Sequence, residues 1–381
     1  MTISRRAFSQ SVGLGAAAGV FWPLSSRSQP LLFEALDRDR NDALTRLNSN
    51  ENPYGPSPKV TEAIRAAVGN ANRYARVEYP SLIEQVANVN HVKPEQVLLG
   101  CGSTEILRMA AFAFLSSAKT LIQGSPTFEA IEHYARAVDS QVISVSLTPK
   151  FSHDLDGMLV HAKSSSGLIY ICNPNNPTAS LTPRKDLEDF IDRLPSSMLV
   201  VIDEAYHHYA GESGMYASFI EHPLADKRVI VTRTFSKVYS LAGLRLGYAV
   251  ASPETVQQMQ RFATQDSINA IITRAASAAL ADSQALTESV QRNENDRQEF
   301  FNQAMARSVK PIDSHANFVM MNTFHPADDV IAHFRSNRIL IGRRFSPMDT
   351  YIRISLGRPE EMQAFWKTWD TLPWAKNFMH H

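Results

Sequence analysis

Leu199-Val200-Val201-Ile202-Asp203-Glu204-Ala205-Tyr206 is the stretch on which the fold turns. Its first four residues form an aliphatic run without polar alternation, so neither face of a strand built from them could meet water. Strands of that kind belong to parallel sheets covered on both sides by helices. The run ends in an acid, and a carboxylate closing an apolar strand must be solvated or paired. A cationic group should therefore face Asp203, and Tyr206, three residues on, is near enough to share its surroundings.

The same alternation continues outward from this run. Strands are expected at 97–100, 120–122, 142–145, 167–172, 228–232 and 247–251, and helices at 58–68, 103–115, 128–138 and 184–193. The class is α/β, a mostly parallel central sheet covered by helices. From Pro253 the pattern changes to one long helical region reaching about residue 308. Strands at 317–322 and 351–356 and helices at 328–337 and 359–371 follow, which describes a smaller α+β domain. The expected organisation is a large domain over 71–260, a small domain over 261–381, and a proline-rich arm with the first helix over 41–70 on the small-domain side. Pro53, Pro56, Pro58 and Gly55 preclude regular structure in the arm, and Pro58 suits the first turn of the helix that follows.

Residues 1–40 are set apart. Arg5-Arg6 precedes an uncharged, Gly- and Ala-rich stretch, a layout that resembles a twin-arginine export signal. Ser9 stands where a large apolar residue would be expected and no small-residue cleavage site follows, so an ordinary N-terminal segment is the alternative. A periplasmic location follows from the first reading and a cytoplasmic one from the second. The stretch is too short and Gly-rich to be a membrane span. The 38 basic and 38 acidic residues cancel, so no global field favours nucleic acid or an anionic membrane. Cys101 and Cys172 are too few for a disulfide framework and read as buried small side chains. No His/Cys cluster has metal-ligand spacing, and no metal is expected.

In open α/β sheets ligands gather at the carboxyl ends of strands. Gly100-Cys101-Gly102-Ser103-Thr104-Glu105 joins a strand to a helix there. Its glycines let backbone N–H groups approach an anion, although a plain N-cap by Ser103 would use the same residues. Asn173-Pro174-Asn175-Asn176-Pro177-Thr178 follows the next long strand. Thr234-Phe235-Ser236-Lys237 precedes Gly243-Leu244-Arg245-Leu246-Gly247, placing an amine among hydroxyls and a guanidinium. An amine for an imine and an acid for a pyridinium nitrogen, Lys237 and Asp203, are what pyridoxal 5'-phosphate (PLP) chemistry requires.

These motifs, in this order, resemble the fold-type I (class I/II) PLP-dependent aminotransferases. Asn50-Glu51-Asn52-Pro53-Tyr54-Gly55-Pro56 and Arg353-Ile354-Ser355-Leu356-Gly357 narrow the likeness to the histidinol-phosphate aminotransferase group, over about residues 45 to 375. The resemblance implies an aspartate aminotransferase-like fold, a PLP cofactor and a homodimer with a shared active site. It implies that Lys237 carries the cofactor as a Schiff base and moves the proton, and that Asp203 pairs with the pyridinium nitrogen. Asn176 and Tyr206 would bond its phenolic oxygen, and Phe128 would stack on its ring where many relatives have tyrosine. Gly102, Ser103, Thr104, Thr234, Ser236 and Arg245 would hold the phosphate, with Tyr74 reaching the phosphate of the neighbouring subunit. Arg343, Arg353 and Tyr54 would meet the substrate, and Arg344 reads as solvated. Neutral amine at Lys237 is expected from the neighbouring Arg245 and a protonated ring, and Asp203 is expected to stay ionised.

Two departures stand out. Ala179 occupies a position where relatives usually have glycine, which requires a negative φ there. Residues 75–80 replace a direct Pro-Asp after Tyr74. The implied reaction is ping-pong transamination between an amino donor, histidinol phosphate or an amino acid, and a 2-oxo acid such as 2-oxoglutarate. Decarboxylation of a (phospho)amino acid is the alternative on the same scaffold. A PLP-binding regulator is disfavoured because no basic helix-turn-helix segment precedes the arm.

Overall fold

The computed structural model describes residues 44–211, 215–221 and 226–375. The export-signal reading lies outside them.

Eleven strands are present among these residues. They are β1 (Thr45–Leu47), β2 (Val97–Gly100), β3 (Thr120–Ser125), β4 (Gln141–Ser146), β5 (Gly167–Cys172), β6 (Met198–Asp203), β7 (Val229–Thr234), β8 (Gly247–Val250), β9 (Phe318–Asn322), β10 (Ile339–Ile341) and β11 (Tyr351–Ser355). Seven make one sheet in the order β2-β8-β7-β6-β5-β3-β4. All its pairings are parallel except those of β8, which runs antiparallel to both β2 and β7. β5 and β6 are almost wholly buried, as the unbroken apolar runs require, whereas the edge strand β4 is largely open to solvent.

Alternation across the pleat divides the core in two. Ile169, Ile171, Val200 and Ile202 face one side, against helices Glu78–Val89, Leu155–Ala162, Arg184–Asp192 and Ala270–Leu280. Leu168, Tyr170, Val201 and Ile230 face the other, against Ser103–Phe114, Ala130–Ala137 and Pro253–Gln260. The architecture is the α/β sandwich expected. The helices at 78–89 and 155–162 and the short strands β1 and β10 add to the elements read from sequence.

The long helical region expected from Pro253 is broken into three helices, Pro253–Gln260, Ala270–Leu280 and Ser283–Ala306. The breaks have local causes. Asp266 takes a left-handed backbone conformation, φ 55°, and Asn269 caps the second helix by accepting the Ile272 N–H at 2.9 Å. Asp282 bonds Ser57 and Lys59 at the start of the first helix, Pro58–Ala67.

β1 pairs with β10 and β9 with β11. These ladders and helices Ser283–Ala306, Ala327–Ser336 and Pro359–Trp369 enclose a separate cluster containing Leu47, Phe300, Phe334, Phe365, Trp366 and Trp369. Cys172 is buried as expected, while Cys101 is only half-buried. Among the described residues no helix is long and apolar enough to cross a membrane.

Candidate active site

β2, β3, β5, β6 and β7 run in one direction, so their carboxyl ends share one edge, and β8 starts from that edge. A cleft of about 370 Å3 opens there. It is lined by Ser103, Thr104, Phe128, Asn176, Asp203, Tyr206, Thr234, Ser236, Lys237, Arg245, Arg343 and Arg353. Twelve of the fifteen residues singled out from sequence thus meet in one place.

One end is built for an anion. The helix Ser103–Phe114 begins with Gly102 as its cap residue and no side-chain cap bond, so its first N–H groups stay free toward the cleft. Ser103 is therefore not the N-cap. Arg245 Nη1 donates to Ser236 Oγ at 3.2 Å and to the Ala242 carbonyl at 3.0 Å, and Thr234 Oγ1 donates to Ser236 Oγ at 3.0 Å. Arg245 itself has φ 62°, a left-handed conformation that costs a non-glycine residue about 1 kcal/mol. Gly102 has φ 76°, and a Cβ there would lie 2.2 Å from Arg245 Nη2. Only glycine lets the guanidinium close over the helix start.

At the centre, Lys237 Nζ donates to the carbonyls of Asn50 (3.0 Å) and Ser49 (3.4 Å). Its pKa is pushed down to about 8, first by burial and next by Arg353; Glu51 opposes this, and Arg245 contributes less. The depression expected from Arg245 is thus present but has a different principal cause. Asp203 is buried at the carboxyl end of β6. It accepts from Tyr170 Oη at 2.8 Å and from the Ala205 N–H at 3.1 Å. Burial pushes its pKa up, partly offset by hydrogen bonds from Tyr170, Thr232 and Ala205. The expected facing cation is not supplied by the chain, since no ion pair joins Asp203 to any described residue. A buried carboxylate that wants a cation, an anion cradle and a lysine amine between them fit the pyridinium nitrogen, phosphate and aldehyde of PLP.

Arg353, on β11, reaches the cleft from the other side. Nη1 donates to Asn176 Oδ1 and Nη2 to the Asn48 carbonyl, both at 2.7 Å, while its buried Nε has no partner. No carboxylate bonds it, and burial pushes its pKa down to about 10. A buried guanidinium whose partners are all neutral oxygens is a receptor for a planar anion. Tyr206 Oη accepts from Asn50 Nδ2 at 3.0 Å, and burial pushes the phenol pKa up, keeping it protonated. Asn176 sits in a loop fixed by its neighbours: Asn175 Nδ2 donates to Thr178 Oγ1 and the Pro126 carbonyl, and Thr127 Oγ1 donates to Asn175 Oδ1.

Ala179 closes that loop with φ 59°, not the negative value its side chain prefers. The turn requires it, because Asn175 N–H must reach the Ser180 carbonyl at 2.9 Å. The methyl group is fully buried with Tyr206, Tyr209, Val238 and Phe318, which offsets the strain.

The mouth of the cleft carries Phe128, Glu129, Arg343 and Phe345. Arg343 Nη2 is ion-paired with Glu129, and its guanidinium lies 4.3 Å from the Phe345 ring centroid. Arg344 is turned outward to Asp328 and Asp349. Of the other three expected site residues, Gly102 caps the helix at the anion end, and Tyr54 and Tyr74 lie outside the cleft. The Tyr54 hydroxyl donates to Asp296 at 3.0 Å and its ring lies under Arg292, in a neighbouring groove. Tyr74 is 70% exposed, bridged to Asn269. Residues 75–77 lead into helix Glu78–Val89, whose first turn contains residues 78–80, and Arg76 pairs with Asp266 at 2.6 Å.

Three residues at the site have no assigned role from sequence. Asn50 and Glu129 carry no local signal beyond their motifs. Tyr170 is a lone hydroxyl in an apolar run, and register places Cys172, two residues on, opposite Asp203.

The chain was compared with known proteins. The family model described as aminotransferase class I and II matches residues 42–367. The histidinol-phosphate aminotransferase of Caldicellulosiruptor saccharolyticus is 32% identical over 328 residues, covering 86% of this chain and 91% of that protein. Histidinol-phosphate aminotransferase 1 of Bacillus anthracis is 33% identical over 322 residues, covering 84% and 86%. The crystal structure of histidinol-phosphate aminotransferase from Sinorhizobium meliloti in complex with pyridoxal-5'-phosphate superposes with a TM-score of 0.84 at 28% identity, covering 96% of this chain and 99% of that one.

Proposed function

This chain belongs to the class I and II aminotransferases, PLP-dependent enzymes of fold type I, and from that premise we propose the roles its residues play. When bound, PLP supplies an aldehyde for the donor's amine and a ring that draws electrons from Cα.

Around it, Lys237 anchors the cofactor and, with its pKa near 8, takes up and returns a proton at neutral pH. Asp203, held by Tyr170 and the Ala205 N–H, offers its carboxylate to the ring nitrogen. Ser103, Thr104, Thr234, Ser236 and Arg245 hold the phosphate, with Gly102 permitting the close approach. Tyr206 and Asn176, which line the cleft, would bond the ring oxygen, and Phe128 would stack on one ring face. Arg353 takes the anionic group of the substrate, and Arg343 lies beyond it. The protein works as a homodimer, in which Tyr74 reaches the phosphate of the neighbouring subunit, and Tyr54 is a substrate contact. The donor is histidinol phosphate, as the names of the relatives suggest, or an amino acid, and the acceptor is a 2-oxo acid such as 2-oxoglutarate.

The observation that carries this reading is one cleft holding a lysine amine with a depressed pKa, a buried carboxylate without a cation, and a buried arginine without a carboxylate. The test is a half-reaction followed by absorbance, in which holoprotein mixed with candidate amines converts its visible cofactor band to that of pyridoxamine phosphate. Lys237→Ala should abolish both the visible band and turnover. Asp203→Asn should retain the cofactor but lose ~100-fold or more in rate. Wild-type rates in either variant would refute the assignment, and release of CO2 without a new 2-oxo product would turn it to decarboxylation.

A further inference from the structure

Two arginines face the substrate end of the cleft, and their states differ. Arg353 is buried, bonds only neutral oxygens and keeps an unpartnered Nε. Arg343 is half exposed and already spoken for: Nη2 is bonded to the Glu129 carboxylate and Nη1 to the Arg344 carbonyl at 2.9 Å. The backbone of Glu129 is fixed by its own chain, and its half-exposed carboxylate is paired with Arg343. It directly follows Phe128 in the cleft wall, and its carbonyl accepts the His133 N–H at 3.1 Å. The pair therefore spans the mouth from the loop after β3 to the loop after β10, and the two charges cancel.

The charge available to a substrate anion is then one guanidinium, not two. A carboxylate brings one negative charge, which Arg353 matches. A phosphate monoester brings about −1.5 to −2 at neutral pH and needs a second cation. To recruit Arg343 it must displace Glu129, or sit within reach of that carboxylate and be repelled. We propose that Glu129 is a specificity-determining residue that cancels Arg343 and restricts the amino donor to an α-amino acid, excluding phosphate-bearing donors. This rests on the aminotransferase reading above. The remaining lone pairs of Glu129 then face the far end of the donor and favour side chains ending in a hydrogen-bond donor or a cation.

The test compares wild type and Glu129→Gln, which keeps the shape and removes the charge. PLP-loaded protein is assayed with histidinol phosphate and with neutral and basic L-amino acids. Unreactive glycerol 2-phosphate is titrated into the same PLP-loaded preparations by calorimetry. Wild type should have higher kcat/KM for at least one amino acid than for histidinol phosphate. Glu129→Gln should raise kcat/KM for histidinol phosphate and tighten glycerol 2-phosphate binding, each by ~10-fold or more, with smaller changes for neutral amino acids. Preference of wild type for histidinol phosphate over every amino acid overturns the proposal, whether or not the variant folds. So does a variant that shifts both donor classes equally. If no amine of either class converts the cofactor band, the aminotransferase reading itself fails, and this proposal with it.

Discussion

Lys237 holds its amine against two backbone carbonyls in a setting that disfavours its charge, and the linkage can be worked through in sign. Its pKa falls from 10.5 to about 8 in the folded chain. Between those values the unfolded chain binds a proton that the folded chain has released, so stability rises with pH across the window from about 8 to 10.5. In cofactor-free protein the rise should be roughly 1–3 kcal/mol, and Lys237→Met should lack it. Melting temperatures of both proteins at pH 7.5 and 10 measure the difference, and parallel curves would show that the lysine is not the titrating group. Lys237, Asp203 and Arg245 were readable from sequence because their chemistry sits in contiguous motifs at strand ends. Asn50, Tyr170 and Glu129 were not. Asn50 acts through Tyr206 and Ser355, far away in the chain. Tyr170 acts through strand register, and Glu129 through a partner on another loop. Local pattern carries no information about such meetings.

At the scale of elements, the turn from β2 into helix Ser103–Phe114 decides how tightly an anion is held. Gly102→Ala would add a methyl group 2.2 Å from Arg245 Nη2 at a backbone φ of 76°. The sheet should survive, since the strain falls on an arginine tip, but the guanidinium must withdraw. Losing one charge-assisted hydrogen bond predicts PLP affinity weaker by ~10–100-fold, measurable by titrating apo-protein with cofactor. Unchanged affinity would mean that Arg245 is not the phosphate ligand. Gly247 is a different case: a Cβ there would lie 2.3 Å from the Ser103 backbone nitrogen, where nothing can swing away. Most elements of the central sheet were visible as apolar runs. The reversal of β8 was not, because a buried strand reads the same in either direction, and the breaks after Pro253–Gln260 rest on single residues, the left-handed Asp266 and the Asn269 cap, inside an otherwise helical pattern.

For the whole molecule, the proposed homodimer ties Tyr74 to function. Its 70% exposure and the 85% exposure of Val77 leave apolar surface that a second subunit would cover. Light scattering should give twice the 42.5 kDa chain mass. Tyr74→Ala alone should lower activity. Mixing it with Lys237→Ala subunits should restore activity to about a quarter of wild type, because half the dimers carry one intact site. Mixtures no better than the sum of their parts would argue that each subunit is self-sufficient. The proposed division near residue 260 is supported by the separate cluster around Phe334 and Trp369. Glu129 and Arg343 face each other across that division, so the donor specificity proposed for them depends on how the two parts meet.

The reversed strand β8 has a consequence for how much change the scaffold tolerates. Had it run parallel to β7, a crossover would have had to carry the chain back, and lysine and arginine would belong to separate loops. Instead Thr234 pairs with Gly247, and the segment between them is a hairpin crown pinned by Leu246 O to Phe235 N at 3.0 Å and Phe235 O to Leu241 N at 3.1 Å. Length is thus a frozen variable there: an insertion between residues 238 and 244 would move Lys237 and Arg245 relative to each other. The crossover helices, whose ends are anchored to different strands, can grow or shrink without that penalty. Natural diversification and directed engineering alike have their freedom in the crossovers and at the mouth of the cleft, and none in the crown.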